Sequence, residues 1–469
     1  MESNKSKNVL LSCVVVFIVA CLCLGLVIAT GVGVSVFWPV QIETEEVSVA
    51  TPIIENEIPD NDIVAETPAP DEELPEEIAG IIQQIETQVV QIRGLSPVEP
   101  VQRTLISAEE LEEIVITEFF SDYTDADARQ DVLVLSTLGL LPQDFDLRGF
   151  YLELYSEQIS GFYDSEAKEL FVVRGTTFGG REKLTYAHEY THALQDQVFQ
   201  FDEGMNYNEE ACEIDSERCA AIRALIEGDA TLTEILWFQT HATRQDYADL
   251  MEAFENFSSP VLDAAPPYIA ADLYFPYEKG LAFVEYLFDQ GGFDAVDAAF
   301  LDPPVSTQQI LHPDKYPDQV PALVELPDLS DSLGTDWELF DQNIMGEWFT
   351  FLILHMAYND SHQLPEDTAR QAADGWGGDA YAIYLNEISD DVVFILDMVW
   401  ETDSDAETFA EAFSDYAGRR WDIADEMVFG NATWRGVEGT VIMALEGDRT
   451  LWVIAPEPEM VELILLELQ

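Results

Sequence analysis

Positive charge is scarce in this sequence: among 469 residues, 20 lysines and arginines face 91 aspartates and glutamates, a formal net charge of −71. A surface of that sign repels a phosphate backbone, which excludes a nucleic-acid partner, and it disfavours lying flat on anionic lipid. The acidity reads as a heavily solvated surface suited to salt or low pH; a preference for cationic substrates or divalent cations is the sharper alternative. No loop with EF-hand spacing occurs. Cysteine is sparse too. Of five cysteines, Cys13, Cys21 and Cys23 fall in an apolar N-terminal run, leaving Cys212 and Cys219. On one continuous helix, residues seven apart have Cα atoms about 10.5 Å apart, beyond the roughly 7 Å that a disulfide spans. If the two pair, the helix carrying Cys219 must start after Cys212, and the bridge braces its entry.

Charge of either sign is absent from Val9 to Val40. The run exceeds the roughly 20 residues that cross a bilayer and is too long for the apolar core of a cleaved signal peptide. It reads as a transmembrane signal anchor at 9–40 embedded in the lipid bilayer. Lys5 and Lys7 keep residues 1–8 in the cytoplasm, the remainder is exported, and Trp38 sits at the outer interface. "IVAC" ending at Cys21 resembles a bacterial lipoprotein processing site; this alternative is less favoured because the apolar run continues past it. Residues 41–77, rich in Glu, Asp, Pro, Thr and Val without helical or strand period, read as an extended, self-repelling stalk.

From 78 to 469 the chain carries enough apolar sequence for a folded extracytoplasmic domain, with room for two lobes around a cleft. "EEIAGIIQQIETQVVQIRGL" and "SAEELEEIVITEFFSDY" are amphipathic, the second opening on a Ser107 to Glu110 capping box. "GFYDSEAKELFVV" alternates like a hairpin turning around Ser165 to Lys168. Its simplest role is to support the helix that follows; addition of an extended peptide to its outer strand is a second possibility. Most later segments look helical, with "GVEGTVIMALEGDRTLWVIAP" as a strand pair turning at Glu446 to Arg449.

Histidine is nearly as sparse as cysteine, with six in the chain. Two fall in "TYAHEYTHALQDQ", Thr185 to Gln197. On a helix, residues four apart share a face, so His188, His192 and Asp196 form one stripe. Leu184, Ala187, Thr191, Leu194 and Val198 make a neighbouring apolar or small stripe, with Glu189 beyond the histidines. This places two imidazoles at the border of core and cleft, as a zinc site with an open position requires. Asp196 is placed to accept the second ring N–H of a metal-bound histidine. A third ligand belongs to "EIDSERCAAIRALIEGDATLTEILWFQ", which reads as one helix from Glu213 to Gln239. Glu227 sits in its most apolar part, where a bare carboxylate is costly to bury, and Gly228 lets another backbone approach. Glu217 and Glu234 are the rivals.

"HEYTHALQD" resembles the zinc helix of thermolysin-like gluzincins, HExTHxxxD, and "EGDA" resembles the glutamate-bearing second helix of that clan, with Asp229 as its supporting acid. Further blocks, "SEQISGFYDSEAKELFVV", "ALIEGDAT", "FPYEKGLAFVEYLFDQGG", "PPVSTQQILHPDKY", "MGEW" and "GWGGDAY", resemble a family of predicted bacterial surface metallopeptidases. One departure is Tyr190, where leucine is usual; it faces away from the histidines. The resemblance implies a mainly helical α+β, zincin-like ectodomain that binds Zn2+ through His188, His192 and Glu227. It implies Glu189 as general base and a later His or Tyr as oxyanion stabiliser: His312 first, then Tyr316 and Tyr277. A membrane-anchored zinc peptidase acting on peptides or proteins is the function implied. The alternatives are a non-catalytic envelope protein with a structural zinc, favoured if Cys212 or Cys219 ligates the metal, and hydrolysis of a non-peptide amide.

Overall fold

The computed structural model describes residues 76–468 apart from 115–116, 118–122, 159–160, 166, 174–177, 256–257, 387, 425–427 and 429–430. The expected membrane anchor, Cys21 and nearly all of the stalk lie outside the described residues; Glu76 and Glu77 already belong to a helix. Among the described residues no helix is long and apolar enough to cross a membrane.

The architecture is α+β and mainly helical. The helix Glu76–Arg93 buries Ile82, Ile85 and Val89, spaced three and four apart, and ends on a buried Arg93. The predicted capping box forms: the Ser107 amide donates to Glu110 at 2.6 Å and the Glu110 amide to Ser107 Oγ at 3.1 Å. Strands β1 (Gln102–Ile106), β2 (Gly161–Asp164) and β3 (Glu169–Val173) make a small sheet of order β1-β3-β2. β2 and β3 are the expected hairpin, antiparallel, and β2 is an edge strand beside the histidine helix.

That helix spans Gly180–Phe199 and packs on the helix Ser216–His241, which carries Glu227. The expected single helix from Glu213 is broken. Asp215 leaves helical geometry (φ −143°, ψ 83°) and its carboxylate accepts the Arg218 amide at 2.9 Å, closing one short helix, Glu209–Ile214, and capping the next. The break brings Cys212 and Cys219 to a Cα separation of 5.5 Å, and they form a disulfide. The helix Pro267–Gly291 crosses the glutamate helix at Gly228 and Gly280. A β-carbon on Gly228 would run into the Gly280 carbonyl, and one on Gly280 into that of Ala224, so the crossing requires both glycines.

The C-terminal third overturns the expectation of mostly helical segments. A seven-stranded antiparallel sheet runs β4 (Trp337–Asn343), β5 (Trp376–Asn386), β6 (Val392–Trp400), β10 (Arg449–Ala455), β9 (Gly439–Glu446), β8 (Ala432–Gly436) and β7 (Asp422–Ile423) in spatial order. The β9–β10 pair is the predicted one. Phe394, Leu396 and Met398 of β6 join the core shared with the helical part, whereas Val393 and Ile395 face a second core under the helix Pro458–Glu467. Burial on both faces removes the polar alternation that marks a strand, leaving an apolar run that periodicity cannot tell from a buried helix. The larger core extends from Ile82 to Ile454, tying the helical part to one sheet face.

Candidate metal centre

The histidine helix is buried along nearly its whole middle. Leu184, Ala187, Thr191 and Leu194 pack as the stripe predicts, while Val198 is exposed. His188, Glu189 and His192 are themselves no more than 1% exposed, so the centre lies deeper than a cleft border. The glutamate helix brings Glu227 opposite: Glu227 Oε2 lies 3.2 Å from His188 Nε2 and 3.4 Å from His192 Nε2. Donors about 2.0–2.1 Å from a tetrahedral zinc ion stand about 3.3 Å from one another. Two imidazoles and one carboxylate thus form a group that can hold a metal ion.

Glu189 stands beside this group. Its Oε2 accepts the Tyr163 amide of β2 at 3.0 Å, while Oε1 is buried with no hydrogen-bond partner among the described residues. Burial, reinforced by Glu227 and Glu234, pushes the Glu189 carboxyl well above the usual range, against the pull of His188 and the Tyr163 amide. For Glu227, burial acts upward but the two imidazoles outweigh it and hold the carboxyl well below its ordinary value. Burial also opposes charge on His188, yet Glu234 and Glu227 together raise its pKa; at His192 burial prevails and lowers it. A positive charge held by this set would offset the cost of burying its carboxylates.

The groups behind the histidines differ from those expected. His188 Nδ1 lies 3.2 Å from Glu234 Oε2, so this rival ligand serves the far side of the ring. His192 Nδ1 lies 2.9 Å from Gln195 Oε1. Gln195 in turn donates to Asp229 at 2.7 Å and to the Ile226 carbonyl at 3.1 Å, and Arg93 grips Asp229 at 2.8 Å. Asp229 therefore supports His192 through Gln195. Asp196 does not serve a histidine: it accepts from Tyr163 Oη (2.8 Å), Lys168 Nζ (2.6 Å) and the Phe201 amide (3.2 Å), locking the hairpin to the helix. Glu217, the other rival, accepts the Thr307 amide and hydroxyl. Spacing carried the signal for Glu234, seven residues past Glu227, and Gln195, three past His192; nothing local marks Arg93.

Of the three oxyanion candidates, Tyr277 touches the centre, donating from Oη to Glu227 Oε1 at 3.1 Å. Tyr316 donates to the Asp302 carbonyl. His312 is paired elsewhere, its Nε2 2.8 Å from Glu347 Oε1 and 3.6 Å from Asp374 Oδ1. That hydrogen bond to Glu347 raises its pKa against the effect of burial.

Residues 338–465, the C-terminal sheet with its helices, match a family described as a domain of unknown function (DUF8575). No curated protein and no solved structure matches the chain.

Proposed function

We propose that this chain is a zinc-dependent peptidase of gluzincin type, held by its N-terminal segment at the membrane with residues 78–469 outside. The observation that carries the reading is the convergence of His188 and His192 on one oxygen of Glu227 with Glu189 alongside. His188, His192 and Glu227 would hold the ion, which when bound lowers the pKa of water toward 7 and polarises a carbonyl. The Tyr163 amide orients Glu189 through Oε2 and leaves Oε1 for the attacking water, whose proton Glu189 accepts and passes to the leaving amine. Tyr277 Oη takes the place of His312 as the donor for the developing oxyanion, turning to it the single proton that it gives to Glu227 Oε1 in this structure. The Cys212–Cys219 bond supports an open catalytic site over a closed structural one, because both thiols are used in the disulfide.

The test is metal content by mass spectrometry and cleavage of a mixed peptide library, measured on the full-length protein beside Glu189→Gln. Zinc in both proteins with cleavage lowered by about 10²–10⁴ in the variant is the expected result. Zinc in both with cleavage in neither favours the binding-protein reading, and absence of metal from both removes the central claim.

A further inference from the structure

Among the described residues, a second set of histidine and carboxylate donors gathers away from the first. His312 follows the short helix Thr307–Leu311, Glu347 lies in the first turn of the helix Gly346–His355, and Asp374 follows the helix Glu366–Ala373. One donor atom from each comes within 4.8 Å of the others. We propose that His312, Glu347 and Asp374 form a second divalent-cation site, distinct from the His188 centre and independent of the activity assigned to it.

Glu347 argues for a cation beyond the histidine. It is 4% exposed; Oε1 pairs with His312, but Oε2 is buried with no hydrogen-bond partner among the described residues. A buried carboxylate oxygen left unpaired is costly. A protonated His312 would account for the 2.8 Å contact and leave that oxygen unsatisfied, with Asp374 sharing the same single charge. A divalent ion accepts donors from all three. Lys315, the nearby lysine whose charge opposes the site, is committed by its Nζ to Glu401 at 2.5 Å.

The position of Glu347 is well supported. The preceding Met345 and Gly346 amides donate to Asp379 at 2.7 and 2.9 Å, and Gly346 adopts a positive φ of 78° with Glu217 packed where a side chain would go. Access comes from the other two donors, since the side chains of Asp374 and His312 are 59% and 29% exposed. One imidazole and two carboxylates with room for water suit a first-row ion such as Zn2+ or Mn2+ better than Ca2+, which seeks six to eight oxygens. Because Glu347 and Asp374 lie within residues 338–465 and His312 precedes them, a bound ion would pin the 307–316 segment to the C-terminal sheet region.

The experiment titrates Zn2+ and Mn2+ into chelator-stripped full-length protein, reading stoichiometry by calorimetry and folding by circular dichroism. The parent is expected to bind two Zn2+, and the His188→Ala/His192→Ala double variant to retain one. His312→Ala and the exposed Asp374→Ala should each weaken the site that the double variant retains by roughly tenfold or more. A folded double variant that binds neither ion, or a folded Asp374→Ala with unchanged affinity at both sites, overturns the proposal. Loss of the His188 centre alone would count against the peptidase reading and leave this one standing.

Discussion

The two histidine clusters use the same side-chain types and hold them in opposite ways. His188, His192 and Glu227 project from the middle of two packed helices, and each histidine has its far nitrogen against a second group. His312, Glu347 and Asp374 meet at helix ends, with two of the three donors open to solvent. Packing fixes the side chains of the buried cluster, whereas two of those in the other face solvent. Sites built on the body of helices hold their geometry more precisely than sites built on loops and helix ends.

The sharpest way to break this contrast is His192→Ala, expected to abolish cleavage and remove the metal of the His188 centre alone, lowering the zinc content from two ions to the one at the His312 cluster. Elemental analysis with a peptide assay checks it. Tyr277→Phe should keep the metal and lower kcat by about 10²-fold with little change in KM, as removal of an oxyanion donor does. An unchanged kcat would return the role to another residue. Gly228→Ala probes the scaffold of the buried cluster: its β-carbon meets the Gly280 carbonyl, so forcing the helices apart should cost about 1–3 kcal/mol in a urea titration.

The smallest effect is expected at a buried carboxylate with no histidine beside it. Asp131 accepts from Tyr123 Oη at 2.6 Å, and burial, against that hydrogen bond, pushes its pKa to about 8. The folded state therefore holds this proton more tightly than the unfolded chain. The stability so gained is complete below the ordinary carboxylate range and is lost as pH rises toward 8. Asp131→Asn should raise the denaturation midpoint at pH 8 by more than it does at pH 4. An equal effect at both pH values would show that Asp131 is not protonated in the fold.

Within the sequence, the most legible parts were those whose partners are close along the chain. The four-residue spacing of His188 and His192, the Ser107 capping box, the β2–β3 hairpin and the β9–β10 pair all depend on contacts a few residues apart. Even the Cys212–Cys219 pair was constrained, since helix geometry required a break between them. Strands β5 and β6 were not legible, because burial on both faces erased their alternation. Asp196 was misread because helical spacing says which face a residue shares, not which neighbour occupies that face: the hairpin brings Tyr163 and Lys168 there.

By itself the sequence determined an acidic, mainly helical α+β chain with an HExxH helix and a buried glutamate downstream, because helix periodicity and the cost of a lone buried carboxylate are local properties. The tertiary structure decided which acid serves which ring. It brought Glu234 behind His188, Gln195 and Asp229 behind His192, Tyr277 onto Glu227, and His312 to Glu347. Those choices depend on helix crossings such as Gly228 on Gly280. Except for Gln195 and His192, which are three residues apart, they bring together residues 34 to 50 positions apart, beyond the reach of any sequence period.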